Sequence, residues 1–348
     1  SELVQDPLGC PEEADTYFFN FGILLALFHG LGSRDMHSEN VMACGVKPAV
    51  LDVETLLAPR KTAAAANALS RCIQNSVLCT TVLPMWAHKM GFMSALHKQH
   101  VANSYSLPLF DGEALDIRGR EETFLRGFRE GYRRMLAVRD EIEPLLLRHK
   151  GSAVRIVLRN TSYYYLVRRD LYRADSMTSE EAQAAVLEKL RIPLRENWND
   201  ASETILRYEK DCLKRGDIPY YCVPLSGRAL AGENPAEILT EDYFGVSPHQ
   251  YMLEHLANLS EAEALFEEDL LRETLSSVPD EEKKAETKFP LPQEGLSPRE
   301  MRSLAEKLWR LAREHRIRRP DGLVMWQEQA LSIESLLPVS FVANWGDM

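Results

Sequence analysis

The stretch from residue 34 to 55, RDMHSENVMACGVKPAVLDVET, concentrates side chains that could carry out acid–base and metal chemistry. Asp35 and His37 offer a carboxylate and an imidazole, the groups that most often accept protons in enzymes. Asn40 and Asp52 offer the amide and carboxylate oxygens that Mg²⁺ prefers. A solvated turn followed by the end of a strand would use similar residue types, so the spacing has to decide between these readings.

The spacing favours phosphoryl transfer from ATP. In kinase-like enzymes one loop carries the carboxylate that accepts the substrate's hydroxyl proton, an Asn that holds metal, and then a hairpin ending in a metal-binding Asp. Asp35 and Asn40 are five residues apart, and Asp52 follows VMACGVKPAVL, which can form strand, turn and strand. Glu54 extends this polar set. The histidine follows the aspartate, as in small-molecule phosphotransferases, whereas protein kinases place it before.

The elements that position these residues are predicted from apolar periodicity, which indicates an α+β chain that is mainly helical. An apolar helix over 15–29 leads directly into the polar motif, and PAVLDVE reads as a short buried strand. Further helices are predicted over 121–148, 200–215 and 260–275. Capping boxes at Thr178 and Ser297 mark two more helix starts. The segment AVRIVLRNTSYYYLVRR, at 153–169, is rich in β-branched and aromatic residues and predicts a strand.

Composition excludes several classes of protein. The chain has 348 residues and a formal net charge of −11, which argues against a nucleic-acid-binding surface formed by the chain as a whole. No apolar run reaches the length of a transmembrane segment. The six cysteines form no C-x-x-C pair, so neither a disulfide framework nor a zinc ribbon is expected, and a reducing cytoplasm is indicated.

The stretch GSRDMHSENVMACGVKPAVLDVETLL resembles the catalytic loop of class II lanthipeptide synthetases of the LanM type. The segments FLRGFREGYRRML, VRIVLRNTSYYYLVRR, GDIPYYCVPLSGRAL and LPVSFVANWGDM extend the resemblance over nearly the whole chain. It implies a kinase-like C-lobe with additional helices, in a single dehydratase-domain fragment over 1–348. The catalytic core with its metal loop would occupy 1–110, and a helical region over 111–348 would contain an elimination strand near 153–169.

The resemblance also implies a reaction with ATP and Mg²⁺ as cofactors. Ser or Thr of a ribosomal precursor peptide is phosphorylated, and elimination of the phosphate then leaves dehydroalanine or dehydrobutyrine. By match to the family motif, Asp35 activates the substrate hydroxyl and His37 assists. Asn40 and Asp52 hold Mg²⁺, and Asp52 and Glu54 belong to the nucleotide-binding part of the motif.

The family's elimination pair corresponds to Arg155 and Thr161, within RIVLRNT. Arginine suits this step because its planar guanidinium binds phosphate through two donors and keeps its charge. A hydroxyl can donate a further hydrogen bond to the leaving anion. On a strand, the even separation of Arg155 and Thr161 would place both on one face, together with Arg159. From the residues alone, a surface or salt-bridging arginine is the competing interpretation of Arg155.

The implied partners are a precursor peptide with its leader segment and the remainder of the same polypeptide. No glycine-rich phosphate loop and no Cys-His-Gly motif occur in the sequence. We therefore expect the N-lobe and a zinc cyclase to lie outside this chain, which alone would be weak or inactive. The implied location is the bacterial cytoplasm, peripheral to the membrane through an exporter. Two alternatives stay open: a kinase-like small-molecule or protein phosphotransferase without elimination, and a non-catalytic fragment that binds peptide.

Overall fold

A computed structural model of the chain describes residues 5–59, 75–87, 91–98, 105–159, 161–191, 200–276, 297–314, 316–322, 324–331 and 338–343. It is a mixed α and β structure with small antiparallel sheets. The α-helices are α1 Glu13–Gly30, α2 Glu121–Arg148, α3 Thr161–Leu171, α4 Glu180–Leu187, α5 Asp200–Lys214, α6 Pro248–Asn258, α7 Glu261–Ser276 and α8 Pro298–Glu314. Short 3₁₀ helices cover Val77–Thr80 and Ser176–Thr178.

The strands are short, and each pairs antiparallel with its neighbours. They are β1 Val41–Cys44, β2 Lys47–Val50, β3 Met85–Ala87, β4 Gly91–Met93, β5 Leu109–Phe110, β6 Glu113–Ala114, β7 Ala153–Ile156, β8 Tyr221–Pro224, β9 Leu230–Ala231, β10 Ile238–Thr240, β11 Ile317–Arg318, β12 Val324–Leu331 and β13 Pro338–Ala343. Hairpins form from β1–β2, β3–β4 and β5–β6, and larger sheets have the orders β10-β9-β8-β7 and β11-β12-β13.

The chain forms two compact units. The first unit comprises Ser1–Val53, Ala65–Arg139 and His255–Met348, and the second comprises Glu54–Ala64 and Asp140–Glu254. The division into a catalytic core over 1–110 and a helical region over 111–348 stays a prediction, as does the kinase-like C-lobe. Among the described residues, no helix has the length and apolar character needed to cross a membrane.

In the first unit, helices α1 and α2 cross at very close range. A Cβ on Gly22 would lie 2.1 Å from the Phe124 carbonyl oxygen, and a Cβ on Gly127 would lie 2.0 Å from that of Phe19. Because glycine has no Cβ, the two backbones can touch at these positions. Aromatic side chains surround the crossing and are almost fully buried: Tyr17, Phe18, Phe21, Phe124 and Phe128. This burial explains why α1 is apolar around most of its circumference.

The hairpin of β1 and β2 confirms the predicted strand, turn and strand, but the prediction of a buried strand over PAVLDVE is wrong: β2 ends at Val50, none of its residues is buried, and Leu51 and Val53 are exposed. Cys44 pairs with Lys47 across a two-residue loop whose first residue, Gly45, has a φ of +56°. That backbone conformation is easy only for glycine. The Asn20 side-chain amide donates to the Val46 carbonyl oxygen at 2.9 Å, so the turn is tied to α1.

The second unit consists of the sheet β7–β10 and helices α3 to α5. An apolar cluster joins these helices: Tyr164, Val167, Leu171, Leu187, Leu190, Leu206 and Leu213. Helix α5 ends before Gly216, whose φ of +86° is the left-handed conformation typical of a helix C-cap.

The predicted strand over 153–169 is wrong beyond its first residues. Only Ala153–Ile156 is a strand, and Thr161–Leu171 is a helix. Tyr164, Val167 and Leu171 are buried, whereas Tyr165 and Leu166 are exposed, which is the spacing of an amphipathic helix. The argument that 155 and 161 share a strand face therefore fails.

One capping prediction is shifted and the other is confirmed. Helix α4 is capped by Ser179 instead of Thr178, and the Ser179 hydroxyl accepts from the Ala182 N–H. At α8, the Ser297 hydroxyl accepts from the Glu300 N–H while the Glu300 carboxylate accepts from the Ser297 N–H. This reciprocal pair is the predicted capping box.

Candidate functional site

The loop that follows α1 is anchored through Met36. Its side chain is fully buried, and its backbone N–H donates to the Thr80 carbonyl oxygen at 2.9 Å. Asp35 and His37 flank this anchor, and their side chains are 40% and 24% exposed. The sequence therefore places a carboxylate and an imidazole on either side of a fixed point, where both reach the surface of the first unit.

The imidazole of His37 is oriented by its neighbours. The Glu39 N–H donates to His37 Nδ1 at 3.2 Å, so the neutral ring carries its proton on Nε2. Nε2 lies 3.6 Å from Asp35 Oδ1. At this distance the imidazole lies beside the Asp35 carboxylate without a direct hydrogen bond, so that carboxylate stays able to accept a proton from a substrate hydroxyl.

Asn40 closes the loop and joins it to the hairpin. Its side-chain Nδ2 donates to the Asp35 carbonyl oxygen at 2.6 Å, and its backbone oxygen accepts from the Leu51 N–H at 2.9 Å. The first bond leaves the amide oxygen as the part of this side chain suited to bind a cation. Because Val41 pairs with Val50, Asn40 and the half-buried Asp52 flank the same end of the hairpin. Amide and carboxylate oxygens are a donor set that fits Mg²⁺.

In the second unit, Arg155 forms an ion pair with Glu54. The guanidinium donates from Nη1 to Glu54 Oε2, and its central carbon lies 4.8 Å from the centre of the Tyr220 ring. Such stacking orients a guanidinium. Arg155 Nε is buried and has no hydrogen-bond partner among the residues that the structure describes. The guanidinium is thus held in place and keeps donors for an anion.

The other candidates for elimination are arranged differently from the prediction. Thr161 is exposed at the first position of α3, and no hydrogen bond joins these two described side chains, Thr161 and Arg155. Arg159, expected beside Arg155, is buried and donates two hydrogen bonds to Glu209, at 2.6 and 2.9 Å. Arg159 is therefore engaged in the interior of the second unit.

The structure brings together Asp35, His37 and Asn40 in one unit, and Glu54 with Arg155 in the other. Sequence reasoning missed Tyr220 and Glu209, which hold the two arginines of RIVLRNT. Tyr220 lies in GDIPYYCVPLSGRAL, one of the segments that carry the family resemblance, so that segment could have pointed to it. Glu209 is fully buried within α5, but Glu203 and Asp211 lie on the same helix and the local pattern does not set Glu209 apart from them.

The comparisons with known proteins agree with the sequence motifs. A family model described as "Domain of unknown function (DUF4135)" matches residues 2–102 and 91–223. The chain is 22% identical, over 252 residues, to the "Lacticin 481/lactococcin biosynthesis protein LcnDR2" of Lactococcus lactis subsp. lactis. That alignment covers 62% of this chain and 27% of the relative, so the chain spans about a quarter of the relative's length.

Proposed function

Since the chain belongs to the DUF4135 family and carries the loop described above, we propose that it forms part of a peptide dehydratase. The enzyme would phosphorylate Ser or Thr of a ribosomal precursor peptide with ATP and Mg²⁺, and then eliminate the phosphate. The observation that carries the proposal is the closed arrangement of Asp35, His37 and Asn40 beside the hairpin that ends at Asp52. The similar protein of Lactococcus lactis is named for lacticin 481 and lactococcin biosynthesis, which supports a product of this kind.

In the first step, Asp35 accepts the proton of the substrate hydroxyl while that oxygen forms a bond to the γ-phosphorus and the bond to the β-phosphate oxygen breaks. His37 would assist Asp35, since its Nε2 lies 3.6 Å from Asp35 Oδ1. Asn40 and Asp52 would hold Mg²⁺, which neutralises the charge that develops on the phosphates. The hydrogen bond from Asn40 to the Asp35 backbone couples the position of the base to that of the metal ligand.

In the second step, a base removes the proton from Cα, the Cα–Cβ double bond forms, and the Cβ–O bond breaks to release phosphate. Arg155 would bind the phosphate oxygens through the donors that Glu54 leaves available. Tyr220 and Glu54 keep the guanidinium in one orientation, so little side-chain entropy is lost when phosphate binds. Thr161 would add a hydroxyl donor from the start of α3.

Mass spectrometry of the precursor peptide tests both steps in a polypeptide that contains this chain. With ATP and Mg²⁺, the unmodified enzyme should give peptides that have lost water. Asp35→Asn should give neither phosphopeptide nor dehydrated peptide, because the base is lost. Arg155→Ala should accumulate phosphopeptide, because phosphorylation precedes the step in which Arg155 acts.

Two controls sharpen the experiment. Arg148→Ala removes an exposed arginine at the end of α2 and should leave both steps unchanged. A synthetic phosphopeptide given to Asp35→Asn should still be dehydrated, because elimination does not need the phosphorylation base. If phosphopeptide is the final product of the unmodified enzyme, the protein is a phosphotransferase without elimination. If no peptide is modified, the proposal is wrong.

A further inference from the structure

A buried group of three possible metal ligands lies in the first unit, outside the site described above. It consists of His29 at the end of α1 and of Glu263 and Glu267 on α7. One ligand atom from each residue lies within 4.8 Å of the other two. The side chains of His29 and Glu267 are 1% and 0% exposed, and Glu263 is half-buried. An ion from solvent could thus reach the group from the side of Glu263.

The two glutamates are four residues apart on one helix, so their carboxylates face the same side of α7. That side also carries Phe266 and Leu270, which are fully buried. Two neighbouring carboxylates inside a protein favour either a bound cation or a shared proton, because two buried negative charges side by side are very unfavourable.

The surrounding contacts fix the orientation of the ligands. Glu267 Oε2 accepts the Val77 N–H at 2.8 Å, which turns Oε1 toward His29. The Tyr132 ring stacks on the His29 ring at 5.9 Å, and the His255 ring meets it edge-on at 5.2 Å. His255 Nε2 also bonds to the His29 carbonyl oxygen at 2.8 Å. A ligand set held in this way is preorganised.

The separation of His29 and Glu267 suits an ion between them. His29 Nε2 and Glu267 Oε1 are 3.9 Å apart, beyond a direct hydrogen bond. Ligand atoms bound to one ion at about 2.0–2.2 Å lie roughly 3–4 Å from each other.

We propose that His29, Glu263 and Glu267 bind one divalent transition-metal ion of the zinc type. An imidazole with two carboxylates suits Zn²⁺, whereas Ca²⁺ and Mg²⁺ favour oxygen ligands alone. A dication beside two carboxylates and a neutral imidazole makes the group electrically neutral. The competing counter-charge is a proton shared by the two carboxylates, which the experiment below distinguishes.

An ion at this place would stabilise the loop that carries Asp35. His29 precedes Asp35 by six residues in the sequence. Glu267 holds Val77, the first residue of the 3₁₀ helix whose last carbonyl, that of Thr80, accepts the Met36 N–H. The role is structural, so the inference does not depend on the reaction proposed above.

Zinc binding to the purified chain tests the inference, with Glu263→Gln as the variant and Glu261→Gln as the matched control. Glu261 is exposed on the same helix. After dialysis against Zn²⁺, the unmodified chain and Glu261→Gln should retain one zinc equivalent more than Glu263→Gln. With zinc at about 100 times its Kd, the melting temperature of the first two should rise by roughly 5 °C, and that of Glu263→Gln should not.

X-ray absorption at the zinc edge of the unmodified chain keeps the test independent of how well Glu263→Gln folds. The spectrum should show nitrogen and oxygen neighbours and no sulfur. A sulfur shell would assign the zinc to cysteines and overturn the proposal. Equal zinc content in Glu263→Gln and the unmodified chain, or no zinc binding at all, would also overturn it and leave a proton as the counter-charge.

Discussion

At the scale of single residues, the two arginines of RIVLRNT have different surroundings. Arg155 is half-buried and pairs with Glu54, whose side chain is 33% exposed. Arg159 is buried and forms two hydrogen bonds with Glu209, which also accepts from the Tyr164 hydroxyl at 2.7 Å. The first arrangement suits anion binding, and the second suits a structural role.

Replacement of Arg159 by Met should destabilise the second unit strongly. Glu209 is fully buried, so loss of its partner leaves a carboxylate that neither water nor a cation stabilises. We expect a loss of about 3–5 kcal/mol in the free energy of unfolding, measured by urea denaturation. Arg173→Met is the control, because Arg173 pairs with Asp175 at the surface and should contribute less than about 1 kcal/mol. Equal effects of the two variants would contradict the structural role.

His97 should make the stability of the first unit depend on pH. Burial lowers its pKa from 6.5 to about 4 in the folded protein. Between these values the unfolded chain binds a proton that the folded chain does not, so stability is complete above pH 6.5 and falls as the pH decreases. The loss from pH 7 to pH 5 should be about 2 kcal/mol. Urea midpoints should show a shallower pH dependence in His97→Gln; an unchanged slope would refute the assignment.

At the scale of secondary-structure elements, the α1–α2 crossing depends on glycine. Gly127→Ala should destabilise the first unit by about 3 kcal/mol, because its Cβ would overlap the Phe19 carbonyl oxygen. Alanine favours a helix more than glycine does, so the loss can only come from the overlap. Gly151→Ala is the control, since open space surrounds that position and no loss is expected. Thermal unfolding of both variants measures the difference.

Elements whose apolar residues recur at one clear spacing could be predicted from the sequence. Elements whose residue types and spacing favour different structures could not. Helices α1 and α2 follow from long apolar patterns, and the β1–β2 hairpin follows from Gly45 between two short apolar runs. The stretch after Ile156 was misread because Tyr163, Tyr164 and Val167 are typical strand residues. Packing against Leu187 and Leu206 overrides that preference.

The same distinction holds for the candidate site. The contacts among Asp35, His37 and Asn40 join residues at most five apart, so the sequence spacing indicates them. The pair of Arg155 with Glu54 spans 101 residues, and that of Arg159 with Glu209 spans 50. Contacts over such separations depend on the tertiary fold, which a local pattern does not contain.

At the scale of the whole molecule, each compact unit has its own core. Aromatic side chains around the α1–α2 crossing form the core of the first unit. In the second unit, the apolar cluster of α3 to α5 lies with the buried strand β8. A unit with its own core has its own cooperative unfolding. The chain should therefore not behave as a single two-state system.

Hydrogen exchange followed by mass spectrometry of peptides tests this independence with the two variants above. Gly127→Ala should accelerate exchange in peptides from α1 and leave those from β8 and α5 unchanged. Arg159→Met should do the reverse, because the charge it leaves buried lies in the second unit. For a loss of 3 kcal/mol, exchange through unfolding should become roughly 100-fold faster in the affected unit. Equal acceleration in both units by either variant would show one cooperative structure instead of two.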